Sequence, residues 1–167
     1  MPIRPFIYAQ NLNNVNSINN LMTAGTIKAP DYTSTFTYKN YTVNGTNMLF
    51  IFKNGGVNAS IFEDGLNNML KSPIVAETWG RPLQDPWCGS TYGVGNINTI
   101  KFSATATWSE TQDHSKWAYA TASNYSCFGD MNRMSSQWKR GGAFYCIKSP
   151  VLKQALVSIS SSNITSC

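Results

Sequence analysis

The sequence predicts a mixed α/β (α+β) domain, a mixed sheet flanked by helices and closed by two disulfides. Three observations carry that expectation. Short alternating or continuously apolar runs recur between turn signals, and two further segments show the helical period. The four cysteines, Cys88, Cys127, Cys146 and Cys167, form an even set with no C-x-x-C pair, which reads as two disulfides. Finally, 167 residues with 42% hydrophobic and 13% aromatic content supply a sizeable core for one domain, residues 1–167.

The elements follow in chain order. Residues 1–35 are rich in Asn, with a short helix expected at Asn16–Met22 and a turn at Gly25. From Thr33 to Tyr41 polar and aromatic residues alternate, which predicts a strand. Asn44-Gly45 is a hairpin turn, and Met48–Phe52 is a buried strand. Asn54-Gly55-Gly56 breaks the chain. Ile61, Phe62, Leu66, Met69 and Leu70 then recur at helical spacing, giving an amphipathic helix over Ser60–Lys71 in which Gly65 is a weak helix former. Pro73 leads a strand at Ile74–Trp79. Pro82, Pro86 and Gly89–Gly95 make a long loop holding Cys88. Ile97–Thr107 alternates and reads as a strand, as does Lys116–Ala120. Met134–Arg140 is polar and basic and ends at Gly141-Gly142. Ala143–Cys146 is a short strand, and Pro150–Ile159 is a helix with proline in its first turn.

Charged residues are only 13% of the chain, about half the usual share. Asn, Ser and Thr take their place, which suits a surface kept soluble by glycans. Asn-x-Ser/Thr sequons stand at Asn40, Asn44, Asn58, Asn124 and Asn163. With the cysteines they point to a secreted or lysosomal protein. The segment Met1–Tyr8 has no long apolar core, so no signal peptide is visible, and part of the protein is expected to be missing. No run of ~18 apolar residues is present, so no membrane partner is expected. Zinc is a poor reading of the cysteines, because ligand spacing is lacking and the single histidine sits elsewhere. The net charge of +5 suits a polyanionic partner, since Lys116, Arg133, Lys139, Arg140 and Lys148 crowd the region around and after that histidine.

The chemistry concentrates in Asp113-His114-Ser115-Lys116-Trp117 and in Cys127-Phe128-Gly129-Asp130-Met131-Asn132-Arg133. In a strand, an H-x-K pair puts imidazole and ammonium on one face. The glycine-containing turn that follows can bring the Asn132 amide to the same place. A nucleophile or acid, a cation and a neutral donor suit a phosphodiester. Ser115 lies on the opposite strand face with no base nearby, which argues against a serine nucleophile. Asp113 points away from His114, and Asp130 suits a turn cap. Trp138, Lys139 and Arg140 are candidates for base stacking and phosphate contact, with Arg133 beside them. Trp117 suits the core.

These two segments, with the Arg140-Gly141-Gly142 turn and Cys146, resemble the C-terminal half of deoxyribonuclease II, the acid DNase family. That family belongs to the phospholipase D superfamily of phosphodiesterases, which implies a phospholipase D-like mixed sheet. The likeness is strong over residues 108–146 and weaker but collinear elsewhere. It implies that the chain is about the second half of a family member, with the N-terminal half absent. His114 matches the C-terminal catalytic histidine, Lys116 its phosphate-binding lysine, and Asn132 the asparagine that also holds phosphate. The cysteine positions imply Cys127–Cys146 and Cys88–Cys167 bridges.

The resemblance further implies DNA as partner, no cofactor and no metal. It implies an acid endonuclease leaving 3′-phosphate ends. One histidine attacks phosphorus to form a phosphohistidine, and a second protonates the departing 5′-oxygen. An imidazole with a reference pKa of ~6.5 is largely protonated near pH 5, which accounts for an acid optimum. The family uses two H-x-K motifs and this chain has one. It is then a fragment, a half-size member that forms a homodimer, or an inactive secreted paralogue that binds DNA without cutting it.

Overall fold

A computed structural model describes residues 35–89, 91–160 and 162–167, and Ser34–Cys167 form one compact unit. The helix expected at Asn16–Met22 and the turn at Gly25 lie outside the described residues. In chain order the strands are β1 (Phe36–Val43), β2 (Thr46–Lys53), β3 (Ile74–Thr78), β4 (Val94–Ile97), β5 (Thr99–Lys101), β6 (Thr107–Ser109), β7 (Lys116–Ala120), β8 (Tyr125–Gly129), β9 (Gly142–Lys148) and β10 (Ile164–Thr165). Eight of them form one sheet in the order β1-β2-β9-β8-β7-β3-β4-β10, while β5 and β6 pair separately. Within the large sheet only β3 and β4 run parallel. The expected mixed sheet with helices and two disulfides is what the chain forms.

The hairpin joining β1 and β2 turns at Asn44 and Gly45, both left-handed (φ 48° and 76°), as a tight two-residue loop requires. Strand alternation then sorts the apolar residues onto two faces. Ile51, Ile74, Ala118, Cys127 and Phe144 face one core, against Ile61, Phe62, Leu66 and Leu70. Val75, Trp117 and Tyr119 face a second core with Ile97, Ile100 and Leu156. Leu156 belongs to a helix at Pro150–Ser160, one residue longer than expected.

The helix expected at Ser60–Lys71 is a π-helical turn, Ile61–Leu66, followed by an α-helical turn, Asn67–Leu70. Ser60 caps it by accepting from the Phe62 and Glu63 amides, and Lys71 ends it in the left-handed conformation. Gly65 explains its own presence. A Cβ there would lie 2.6 Å from Ile51 Cδ1 and 3.1 Å from the Phe36 ring, so glycine lets the helix settle on the sheet.

Three expectations need correction. Ile97–Thr107 is not one strand. Ser103 Oγ accepts from the Thr105 and Ala106 amides, and Phe102 N bonds Ala106 O, so a local turn folds the segment into the β5–β6 hairpin. The glycine-containing segment after Asn124 is not only a turn, because Tyr125–Gly129 is an interior strand between β7 and β9. The loop through Pro82 and Cys88 ends earlier than expected, since β4 begins at Val94.

Both bridges implied by the family resemblance are present. Cys127–Cys146 joins register partners on β8 and β9. Cys88–Cys167 spans 79 residues and ties the C-terminus to the loop after β3. Constraining the unfolded chain this way is worth on the order of 3–5 kcal/mol per bridge.

Gly129 has no room for a side chain. A Cβ would stand 2.5 Å from both the Ala143 carbonyl oxygen and the Phe144 ring. Gly129→Ala is expected to destabilise the fold by ~2 kcal/mol or more, read as a lowered midpoint in urea denaturation. An unchanged midpoint would show that β8 and β9 are not packed this closely.

Candidate functional site

One end of the large sheet gathers the residues singled out from the sequence. β3 ends at Thr78, whose register partner is Lys116 at the start of β7. β8 arrives at the same end with Gly129, and β9 and β2 meet there at Gly142 and Lys53. The loop 130–141 therefore leaves the sheet beside the H-x-K pair. Thr78 makes the junction physical, because its Oγ1 accepts from the Arg133 amide at 3.0 Å. Asn132 is the residue just before that anchor.

His114 lies just outside β7 rather than within it, and its side chain is exposed. Its ring stacks on Trp79, centroids 5.3 Å apart at 29°. Lys116 donates from Nζ to the His114 carbonyl oxygen at 2.6 Å, which holds the ammonium at the histidine's backbone. Ser115 faces the other way, accepting from Trp117 Nε1 and donating to Asp113. Asp113 is thus engaged with Ser115, and Asp130 accepts from the Ala143 amide at 2.8 Å, the turn cap expected of it. Asn132 is half-buried, and its side-chain oxygen is buried without a hydrogen-bond partner.

Arg133 does not face solvent, which corrects the expectation that it touches DNA. It is only 2% exposed. Nε and Nη2 both bind Glu63 Oε1 at 2.8 Å. Nη1 donates to Gln84 O and Asn96 Oδ1, and Nη2 to Asp85 O. With its donors turned inward, the guanidinium has nothing to offer a phosphate. Burial holds the Glu63 carboxyl above its ordinary value, and the Arg133 charge offsets only part of that rise.

Trp138 is half-buried and donates from Nε1 to Gln84 Oε1 at 3.3 Å. It walls a cavity of about 520 Å³ together with Glu63, Gln84 and Arg133. Lys139 and Arg140 are exposed, and their backbone is fixed from below. Lys53, 3% exposed, donates to the carbonyls of Arg140, Val57 and Asn54, and burial pulls its ammonium below the usual range. Gly56 N bonds Lys139 O, and Ala59 N bonds Trp138 O. The basic loop is therefore held at the site end of the sheet.

Glu77 went unnoticed in the sequence, although an acid inside the apolar run Ile74-Val75-Ala76-Glu77 was a readable signal. It pairs with Trp117 and is 0% exposed, and neither carboxyl oxygen has a partner. Burial first, then the charges of Asp113 and Glu110, push its pKa up to about 8. At acid pH it is a neutral acid under the β7 strand. Trp79 was also missed, since nothing in the linear sequence joins it to His114.

No cluster of His, Cys, Asp and Glu suited to a metal occurs among the described residues. No described helix is long and apolar enough to cross a membrane. The arrangement offers an imidazole, an ammonium and an amide at the rim of one sheet.

A family model described as Deoxyribonuclease II matches residues 1–167. Deoxyribonuclease-2 of Caenorhabditis elegans is 34% identical over 125 residues, covering 73% of this chain and 33% of that protein. Deoxyribonuclease-2-beta of Mus musculus is 32% identical over 120 residues, 69% of this chain and 34% of that protein. Deoxyribonuclease-2-beta of Homo sapiens is 34% identical over 116 residues, 66% and 32% respectively. The chain spans about a third of the length of the curated relatives it matches.

Replacing Arg133 with Met is expected to cost ~3–5 kcal/mol in urea unfolding, because Glu63 is left buried and unpaired. Arg133→Lys recovers only part of this, since an ammonium cannot span all four partners. Glu77 gives a pH signature. Its folded value lies above its ordinary 4.5, so its contribution to stability is full below that pH and is lost as pH rises through about 8. Thermal melts of Glu77→Gln should therefore depend less on pH across that window than the wild type, with the largest gain at its alkaline end. Parallel pH profiles for the two proteins would refute the buried neutral acid.

Proposed function

The chain belongs to the deoxyribonuclease II family, and on that premise we propose that it hydrolyses DNA phosphodiesters at acid pH without a metal. It supplies one of the two H-x-K sets that such a site needs. The observation that carries this reading is the junction at Thr78, which sets Lys116 beside the loop bearing Asn132 at one end of the sheet.

In this reading a DNA phosphate lies across that end. The Lys116 ammonium and the Asn132 amide bind its non-bridging oxygens and stabilise the extra negative charge of the pentavalent transition state. The His114 imidazole either attacks phosphorus or protonates the leaving oxygen. When a histidine attacks, a nitrogen–phosphorus bond forms and the bond to the 5′-oxygen breaks. That oxygen takes a proton from the second imidazolium. Water then attacks the phosphohistidine, which restores the imidazole and leaves a 3′-phosphate. Trp79 stacked on the His114 ring fixes its plane. Lys139 and Arg140, exposed on a braced loop, contact flanking phosphates.

The chain holds a single histidine, so the second H-x-K set comes from another copy or from a further segment of the protein. The same fact favours a second reading, a catalytically inactive relative that binds DNA without cutting it. The five sequon asparagines are all exposed, and no free cysteine occurs among the described residues. Both observations support glycosylation and a secreted or lysosomal location. Asn163 Nδ2 also bonds Thr99 Oγ1, a contact that a glycan there would replace.

Plasmid nicking by the oxidised protein in excess EDTA near pH ~5 tests the proposal. His114→Ala is expected to lose at least ~100-fold in rate, and Asn132→Ala a comparable factor. Equal nicking by His114→Ala would sink the assignment. DNA retained but never cut, by protein at concentrations that permit pairing, would establish the binding-only reading.

A further inference from the structure

We propose that the second face of the sheet is a binding track for unpaired nucleic-acid bases, leading from the edge strand β1 to a cleft lined by Asp113 and Ser115. The track is distinct from the H-x-K end. It takes its polymer, DNA, from the reading above, but rests on its own geometry.

Among the described residues only part of that face is covered. The helix Pro150–Ser160 packs over the β7 side, where Trp117, Tyr119 and Leu156 are buried. Toward β1 the face carries a run of rings in mutual contact. Tyr41 meets Phe50 edge-on at 5.2 Å, and Phe50 stacks with Phe52 at 6.2 Å. Phe50 meets Tyr145 at 6.3 Å, and Tyr145 stacks with Phe128 at 5.7 Å. Tyr41 is 53%, Phe52 43% and Tyr145 42% exposed. Alternation explains this: Ile51 and Phe144 on the same strands point into the opposite core, so these rings point out.

The run continues into a cleft of about 700 Å³. Phe128 and Trp117 form one side of it, and Phe102 and Trp108 on the β5–β6 hairpin form another. Asp113 and Ser115, the neighbours of His114 in the chain, also line it. A strand lying on the rings is thereby brought to the residues that flank the candidate catalytic histidine.

Charge selects the occupant. β1, β2, β8 and β9 contain no acidic residue, and of their lysines Lys39 stands on the ring face, while Lys53 and Lys148 alternate onto the opposite one. Lys39 is exposed and is the register partner of Phe50. In the cleft, the Asp113 oxygens already accept from Ser115 N and Oγ. Exposed rings on four strands free of acidic residues suit bases stacked flat with their backbone against Lys39. A duplex hides its base faces in its own stack, so the track selects single strands.

The test measures anisotropy of a labelled oligothymidylate with the full chain in EDTA, in a His114→Ala background that prevents cleavage. Tyr145→Ala and Phe52→Ala are each expected to weaken single-strand binding by about tenfold. Tyr145→Trp should restore it, and duplex binding should be unaffected. Loss of Tyr145 that leaves single-strand affinity unchanged overturns the proposal. So does a dimer, seen in sedimentation, that Tyr145→Ala dissociates, because the face would then be an interface between copies. Binding in this background is independent of nicking, so the two readings fail separately.

Discussion

A single buried guanidinium holds the candidate-site end of this protein together. Arg133 binds Glu63 on the helix, Gln84 and Asp85 in the loop after β3, and Asn96 on β4, while its own amide is fixed by Thr78. Three segments distant in sequence meet on its side chain, and a fourth on its backbone amide. Taking that charge out of water is costly, and it is sustained because Glu63 offers an opposite charge and the carbonyls satisfy the remaining donors. The position of Asn132 follows from this anchor rather than from any contact of its own.

Around that anchor the sheet end is organised by backbone rather than by side-chain chemistry. Lys53 binds three carbonyls and braces the loop that presents Lys139 and Arg140. Asp130 closes the turn against β9, and Lys116 is drawn to the His114 carbonyl. The residues proposed to meet phosphate are left at the rim with few competing partners. The rigid parts lie below and the residues proposed to react above, the division that preorganisation requires.

Much of this was legible in the chain. The Asn44-Gly45 turn, the apolar strand at Ile74, the Lys116–Ala120 strand and the C-terminal helix all obey local rules of period and turn chemistry. The H-x-K spacing placed Lys116 at the start of a strand, where β7 begins, with His114 just before it. Other features were not legible. Ile97–Thr107 alternates as a strand should, yet Ser103 turns it by bonding its neighbours' amides. Arg133 looked like one more member of a basic cluster, because linear charge density carries no record of which cation is buried. Tyr125–Gly129 became an interior strand only because β7 and β9 flank it.

By itself the sequence determined the class of fold, the even cysteine set, the family and the candidate site residues, since each depends on residue type and short-range spacing. Tertiary structure alone decided which cations reach solvent and which acid is buried neutral. It also decided that Trp79 meets His114, and that the aromatic rings of β2, β8 and β9 form one exposed surface. Those properties depend on which distant strands pair and on how much water each side chain loses. They are set by the free energy of the whole packed chain and are written at no single position in it.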